Sequence, residues 1–202
     1  MPQPPGHETC LPCRRRRHGV GHARRRSAPQ PHLAVLSALG RHGVKAVFFV
    51  VGTNAKAQPS LLRDISGAGH LIGNHTWDHP DLSRLSASAV RDQLERTRDV
   101  IAQYPGGTTL FRPPYGAHNA TVDKVVSQLG YRSILWSVDT LDWNKSYKPD
   151  KWIQHGLDQI RNRTSSLVLA HDIQKTTAAH FDAFLSRISS LSKTAFGAPQ
   201  DI

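Results

Sequence analysis

Two histidines four residues apart, His75 and His79, have the type and spacing that most directly indicate chemistry in this chain. They lie in the stretch 73–80, which reads GNHTWDHP. Imidazoles at this spacing fall on one side of a helical turn and can share a single metal ion. Pro80 prevents a helix from continuing through it. The alternative is that both are polar residues of a turn, since the chain has 12 histidines.

Further polar side chains follow predicted strands at their C-terminal ends. They are Arg112, Asp139, Asp142 and His171. Side chains at this end of parallel strands meet at one rim, which core packing alone does not require. Each residue also has a structural interpretation. Arg112 could form a surface ion pair, Asp142 could cap a helix, and His171 could be a core histidine bonded to Asp172 or to the backbone.

Hydrophobic periodicity predicts the elements that must position these residues. Apolar runs predict strands over residues 45–51, 70–72, 109–112, 131–138 and 166–170. Helical spacing predicts helices over residues 33–39, 59–66, 86–103, 118–129, 150–162 and 179–191. Strands that alternate with helices are typical of parallel βα units, in a barrel or a doubly wound sheet.

Composition narrows the class of protein. At 202 residues the chain is long enough for one domain with a full core, and it contains no apolar run that could span a membrane. Its formal charge of +11 is unevenly distributed, with +6 in residues 1–30 and +5 in the rest. No aromatic residues interleave the arginines of this leader, so we expect no nucleic-acid partner. The oligomeric state stays open.

The only two cysteines, Cys10 and Cys13, lie in the leader with His18 and His22. The Cys-x2-Cys-x4-His-x3-His spacing has ligands that zinc accepts, but its central loop is much shorter than that of a zinc finger. Two cysteines also provide no disulfide framework. We therefore expect an Arg-rich leader over 1–30, a domain over 31–195 and a tail over 196–202.

Four stretches occur in an order that resembles a known family. They are HTWDHP at 75–80, RPPYG at 112–116, DTLDW at 139–143 and LAH at 169–171. In these motifs the chain resembles the polysaccharide deacetylases with a NodB homology domain, carbohydrate esterase family 4. The resemblance implies a deformed (β/α) barrel that hydrolyses N-acetyl groups on amino sugars of chitin, peptidoglycan or a related polysaccharide. It also implies a divalent metal, zinc first and cobalt or manganese as alternatives.

The resemblance also implies roles for the residues that match its motifs. His75 and His79 would be metal ligands, and Arg112 would orient a catalytic carboxylate. His171 would protonate the leaving amine, tuned by an aspartate for which Asp142 is the first candidate and Asp139 the second.

Four further residues of the matched motifs would contact substrate, and Asp139 is one of them. The backbone N–H of Tyr115 would stabilise the oxyanion. Trp143 and Leu169 would form the walls of the pocket for the acetyl methyl group.

The first motif of the family, Thr-Phe-Asp-Asp-Gly-Pro at the end of its first strand, is missing from this chain. There the first Asp is the catalytic base and the second is a metal ligand, whereas here Glu8 is the only acidic residue before Asp64. We therefore expect the first strand to be absent and the activity to be impaired. An inactive glycan-binding or metal-binding pseudoenzyme is the alternative. Two open strand edges would also favour aggregation unless the leader covers them.

A shift of reading frame offers one explanation for the leader. For codons that the genetic code permits, residues 22–27, HARRRS, read one nucleotide later become Thr-Leu-Asp-Asp-Gly-Pro, with the aspartates at Arg24 and Arg25. Residues 1 to about 30 are thus interpreted as an out-of-frame or disordered leader. The family is usually secreted or found in the cell envelope, but no signal peptide is recognisable here, so the compartment stays open.

Overall fold

A computed structural model describes residues 8–10, 31–192 and 194–202. Most of the leader, including Cys13, His18, His22, Arg24 and Arg25, lies outside the described residues. The expectations attached to those positions therefore stay predictions.

Strands and helices alternate over the described residues, as the sequence predicts. The strands are β1 (Glu8–Cys10), β2 (Val47–Val50), β3 (Leu71–Asn74), β4 (Leu110–Phe111), β5 (Arg132–Ser133), β6 (Val138–Asp139) and β7 (Val168–His171). The helices are α1 (Pro31–His42), α2 (Gly52–Ala57), α3 (Pro59–Gly67), α4 (Ala87–Ile101), α5 (Ala120–Gln128), α6 (Lys151–Arg161) and α7 (Lys175–Ser189). Within these described segments, every helix is too short or too polar to cross a bilayer.

The strands form one sheet in the order β5-β4-β3-β2-β1-β7-β6. The neighbours β2, β3, β4 and β5 pair in parallel, and β6 pairs in parallel with β7. β1 is antiparallel to both β2 and β7. Because β2 and β7 both oppose β1, the six strands other than β1 run in the same direction. Their C-terminal ends therefore lie at one rim.

The sheet curves until its two ends approach each other. The Ile134 N–H donates to the carbonyl oxygen of Phe111 at 2.8 Å, and the Ser137 N–H donates to that of Leu167 at 3.0 Å. Only Leu135 and Trp136 lie between these two contacts, so the chain passes directly from the β4 side to the β7 side, which closes a deformed barrel. The prediction of one strand over residues 131–138 is wrong, because its two halves pair with strands on opposite sides of this closure.

The position expected to be vacant for a missing first strand is occupied by β1. Glu8 pairs with Phe49 and His171, Thr9 with Phe48 and Ala170, and Cys10 with Val47. The prediction that no strand lies between β2 and β7 is therefore wrong. The strand that fills the position runs antiparallel and comes from the leader. It covers the two edges that would otherwise be open.

Alternation along β2 separates the two hydrophobic layers. Val47 and Phe49 face the barrel interior, where they form a small cluster with Leu110 and Ile134. Phe48 and Val50 belong to the larger cluster between the sheet and the surrounding helices. The interior cluster therefore fills the barrel below the rim that carries the polar residues.

Several element bounds differ from the predicted ones. The helix predicted from residue 179 begins at Lys175, α2 was not predicted, and α1 continues through Gly40 until Gly43, where φ is +65°. The early start of α7 includes Thr176 and Thr177, which are weak helix formers, so tertiary contacts decide it. The other predicted helices and strands are confirmed to within a few residues.

The segment expected to be a tail contributes to the core. Phe196 packs against the helix-side cluster and Ile202 against the barrel interior. A guanidinium N–H of Arg132 donates to the Ile202 carbonyl oxygen. The described C-terminal residues thus pack against both hydrophobic clusters.

Replacing Thr9 with proline tests the importance of β1. Proline removes one N–H from a strand that pairs on both sides, and a lost ladder hydrogen bond in a sheet interior costs roughly 1–3 kcal/mol. We expect Thr9→Pro to lower the midpoint of thermal unfolding and to increase aggregation, measured by calorimetry and size-exclusion chromatography. The matched variant Thr9→Val keeps the N–H and a β-branched side chain. Equal behaviour of the two variants would contradict the pairing.

Because His70 is buried, we predict that the protein loses stability on acidification. Its Nδ1 accepts the Ala46 N–H at 3.1 Å, and burial, aided by the charge of Lys45, lowers its pKa from 6.5 to about 4. Between these values the unfolded chain takes up a proton that the native chain does not bind. The free energy of unfolding therefore falls as the pH drops from about 7 to 4, by up to about 3 kcal/mol.

The contribution of His70 is separable from that of other histidines. His70→Asn retains an acceptor for the Ala46 N–H but does not titrate. Its free energy of unfolding, measured by urea denaturation between pH 4 and 7, should change less with pH than that of the parent chain. The control His180→Asn, in α7, should keep the parent pH dependence.

Candidate active site

His75 and His79 are brought together by a loop rather than by a helical turn. Thr76 and His79 have φ values of +66° and +65°, so the chain curls through the left-handed region. The Nε2 atoms of the two imidazoles are 3.1 Å apart, and both side chains are buried. The predicted pairing of the histidines is therefore observed, whereas the helical geometry assumed for it is wrong.

The histidine pair fits two positions of a metal site. Nδ1 of His75 lies 2.7 Å from the carbonyl oxygen of Arg112, which can only accept, so Nδ1 carries the proton and Nε2 presents a lone pair. Two nitrogens on a tetrahedral zinc are about 3.3 Å apart, close to the spacing of the Nε2 atoms. In the described ranges, whose side chains begin at residue 31, no group of three His, Cys, Asp or Glu residues could hold a metal.

Two amides that the sequence did not single out hold the histidine loop. Asn74 Oδ1 accepts the Thr76 N–H at 3.0 Å, and Asn74 Nδ2 donates to the Leu94 carbonyl oxygen at 2.8 Å. Gln93 Oε1 accepts the backbone N–H groups that follow Thr76, from Trp77 and Asp78, at 2.9 and 3.2 Å. The signal available in the sequence was an asparagine directly after an apolar strand, since a polar group buried there must be hydrogen-bonded.

His171 and Asp142 form a buried pair at the end of β7. Nδ1 of His171 donates to Oδ1 of Asp142 at 2.7 Å, and the backbone N–H of His171 donates to Oδ2 at 2.8 Å. Thr177 also donates to Oδ2, at 2.6 Å. The alternative partner Asp172 instead lies 3.7 Å from His32. The partner of His171 is thus Asp142, as predicted, and its tautomer leaves Nε2 as the nitrogen that can exchange a proton.

The aspartate that ends β6, Asp139, and the one that follows it, Asp142, have opposite pKa shifts. Burial acts to raise the pKa of Asp142, but the charge of His171 and the hydrogen bonds from His171 and Thr177 outweigh it and hold that pKa below its ordinary value. Burial raises the pKa of Asp139, whose Oδ1 accepts the Leu141 N–H at 2.9 Å. Asp142 is therefore the aspartate that stays ionised beside the imidazole.

Arg112 lies inside the protein, not in a surface ion pair. Its side chain is fully buried and donates to the carbonyl oxygens of Ile134 and Leu135 at 2.8 and 3.1 Å. The guanidinium carbon lies 4.3 Å from the centroid of the Phe49 ring and 5.6 Å from that of Trp136. Aromatic faces favour a cation, so this arrangement places a permanent positive charge beneath the rim.

Tyr115 occupies a turn whose backbone is left-handed. Its φ is +60° and that of Gly116 is +64°. The Tyr115 ring contacts His79 edge-on, with centroids 4.8 Å apart, and remains 37% exposed. A Cβ at Gly116 would lie 3.2 Å from the Trp136 ring, so both φ and space favour glycine there. This turn holds the Tyr115 backbone beside the histidine pair.

The remaining predicted residues line the same rim. Leu169 is buried in β7, and its carbonyl oxygen accepts from the hydroxyl of Thr140 at 2.9 Å. Trp143 is half-buried directly after Asp142. Since β3, β4, β6 and β7 end at one rim, the sequence-predicted residues come from four strand ends of that rim. Such a rim can bind a cation, hold an anion beside Arg112 and exchange a proton at His171.

Comparison with known proteins agrees with this arrangement. The family profile described as polysaccharide deacetylase matches residues 28–134. The chain is 39% identical to the peptidoglycan-N-acetylglucosamine deacetylase PgdA of Listeria monocytogenes over 160 residues, which are 77% of this chain and 32% of PgdA. It is 34% identical to the chitooligosaccharide deacetylase of Azorhizobium caulinodans, over 85% of this chain and 82% of that protein.

A solved structure is also similar. The crystal structure of a CE4 family pseudoenzyme from Bacillus anthracis superimposes with a TM-score of 0.76 at 28% identity, covering 85% of this chain and 59% of that one. The fold is thus the α/β fold of the CE4, NodB-type proteins, and the chain belongs to the polysaccharide deacetylase family. It spans about a third of the length of PgdA.

Removing the Thr177 hydroxyl tests how the acid pair is held. Thr177→Val deletes a donor to a buried carboxylate, which typically costs about 1–3 kcal/mol. Thr176→Val is the matched control, because the neighbouring Thr176 hydroxyl is buried without a hydrogen-bond partner in the described part of the chain. Chemical denaturation should show a lower free energy of unfolding for the first variant alone. A larger loss for Thr176→Val would contradict the assignment.

Proposed function

We propose that this chain hydrolyses N-acetyl groups on amino-sugar polysaccharides of the peptidoglycan or chitin class. The observation that carries the proposal is the buried Asp142–His171 pair at the same rim as His75 and His79. Amide hydrolysis needs a group that protonates the leaving amine, and a histidine with a fixed tautomer suits that task near neutral pH. The relatives named as deacetylases act on substrates of this class.

His75 and His79 would hold the divalent metal, with zinc the first candidate and cobalt or manganese the alternatives. A metal bound there would supply Lewis-acid polarisation of the acetyl carbonyl and a water of lowered pKa. His171 would hold a proton at Nε2 for the departing nitrogen while Asp142 stabilises the imidazolium. The hydrogen bonds at Nδ1 of His75 and of His171 orient Nε2 of each ring for these roles.

The remaining residues would position the substrate. The Tyr115 backbone N–H would donate to the oxyanion, since the left-handed turn at Tyr115 and Gly116 keeps this segment beside His79. Trp143 and Leu169 would enclose the acetyl methyl group. Arg112 would orient an anionic group at the rim with its buried guanidinium.

A glycan-binding or metal-binding pseudoenzyme is the second candidate. It is favoured by the number of metal ligands. The side chains described, from residue 31 onward, provide two histidines but no third His, Cys, Asp or Glu beside them. The similar structure from Bacillus anthracis is itself named a pseudoenzyme. Such a protein would keep the rim and its histidine pair, and it would bind glycan without hydrolysis.

Acetate release separates the two candidates. The full chain would be incubated with acetylated chito-oligosaccharide or with purified peptidoglycan, with zinc or cobalt added, and acetate measured enzymatically. We expect turnover, and we expect His171→Ala to reduce it about 100-fold or more, as for loss of a general acid. His180→Ala, which changes a histidine of α7 away from the rim, should retain the parent rate.

Two outcomes would contradict the proposal. Glycan binding without acetate release would support the pseudoenzyme. Turnover that survives the double replacement of His75 and His79 would exclude the metal-dependent reaction, because no other pair of metal-ligating residues in the proposal could replace them.

A further inference from the structure

The loop that carries the histidine pair, residues 75–79, contains no helix or strand to fix its shape. Thr76 and His79 both adopt left-handed backbone conformations, which residues other than glycine rarely take. Such conformations persist only where the surrounding structure holds them. The placement of the two imidazoles therefore depends on the groups that bind the backbone of this loop.

Each of the five backbone N–H groups of the loop has an acceptor. Three of them, at residues 75, 76 and 79, donate to acceptors in β2, in β3 or in the loop itself. The other two, of Trp77 and Asp78, both donate to Oε1 of Gln93, at 2.9 and 3.2 Å. Gln93 belongs to α4, so one side chain connects this helix to the middle of the histidine loop.

Gln93 lies on the buried face of α4, where a polar residue needs a reason to be present. The buried residues of this helix are Val90, Gln93, Leu94, Thr97 and Ile101. The Gln93 side chain is only 8% exposed. Burial of an amide is unfavourable unless hydrogen bonds satisfy it, and the two N–H groups of the loop satisfy its oxygen. The helix packs against β3, so its position relative to the loop is fixed by the core.

The same helix also contacts the ring of Trp77, which lies midway between His75 and His79 in the sequence. The guanidinium carbon of Arg96 is 4.4 Å from the centroid of this ring. On the side of α2, a Cβ at Gly52 would lie only 2.5 Å from Cε3 of Trp77, so the ring packs closely against the Gly52 backbone. Both the backbone and the side chain of Trp77 are thus held, and a shift there would move both histidines.

A loop held in this way suits a metal site that has few ligands. The Nε2 atoms of His75 and His79 are already 3.1 Å apart. Binding is weakened by the entropy of any segment that must become ordered when the ligand arrives, and a preorganised segment avoids that loss. Groups that orient metal ligands therefore influence affinity without contacting the metal.

We propose that Gln93 is a positioning residue of the metal site, because its amide oxygen holds the loop that sets His75 and His79 side by side. The inference rests on the proposed function, which assigns a metal to this pair, and it adds a residue that lies outside all four matched motifs. Gln93 acts through the backbone of Trp77 and Asp78. Its loss therefore lowers the affinity for a divalent metal without removing a ligand.

Zinc affinity measures this role without relying on activity. The full chain, freed of metal with a chelator, would be titrated with zinc chloride by isothermal titration calorimetry. Gln93→Met keeps an unbranched side chain of similar length but removes the acceptor. We expect its dissociation constant to rise about tenfold or more. Gln93→Glu keeps an oxygen that can accept both N–H groups, so it should bind zinc within about threefold of the parent chain.

A matched control on the same helix separates positioning from general stability. Ser86 is the N-cap of α4, and its hydroxyl accepts the Ala89 N–H at 3.3 Å. Ser86→Ala weakens α4 away from the histidine loop and should bind zinc within about twofold of the parent chain. Thermal unfolding without metal compares the stability of the variants. Should Gln93→Met fail to fold, Gln93→Asn carries the test, since its shorter side chain cannot reach both N–H groups and should also weaken zinc binding.

Three results would overturn the inference. They are zinc binding by Gln93→Met at the parent affinity while His79→Gln loses it, an equal loss of affinity in Ser86→Ala or Gln93→Glu, and the absence of zinc binding by the parent chain. Acetate release, measured in parallel, tests the proposed function separately. Zinc binding that depends on Gln93 without acetate release supports the positioning role and contradicts hydrolysis. Acetate release with zinc binding independent of Gln93 does the reverse.

Discussion

The main-chain pairing of one three-residue strand joins the two halves of the candidate site. On one side of β1 lie β2, β3 and β4, which end at His75 and Arg112; on the other lie β7 and β6, which carry His171 and precede Asp142. In the described residues, the order of the sheet brings β2 and β7 together only through β1. The placement of the histidine pair relative to the acid pair therefore depends on these backbone hydrogen bonds. Packing of α1 on α7 and the closure at residues 134–137 support them.

The polar groups at the rim are buried, and neighbouring groups hold them in place. Asp142 accepts from the backbone and side chain of His171 and from Thr177, and Arg112 donates to two backbone carbonyl oxygens. Burying an ionised group is costly unless such contacts satisfy it. The free-energy cost of burying these groups is offset when the protein folds, not when a ligand binds. The site thus has its donors and acceptors oriented in advance, as hydrolysis of an amide requires.

The sequence predicted best those features that depend on residues close to one another along the chain. Strand and helix positions came from local periodicity, and the pairing of His171 with Asp142 came from the resemblance of residues 139–143 and 169–171 to the motifs of the family. Three features depended on contacts distant in sequence. The left-handed curl at Thr76 is held by Asn74 and Gln93, the predicted strand 131–138 is divided by barrel closure, and α7 starts early where Thr177 reaches Asp142. Propensity alone does not contain that information.

The leader shows why a missing motif is a weak guide to whether a strand is present. The first motif of the family is absent from this chain, which predicted that the first strand was missing, yet a strand needs only backbone groups to pair with two open edges. What such a strand contributes chemically is decided by register. A slip of one residue would place Glu8 opposite Phe48 and Ala170 instead of Phe49 and His171.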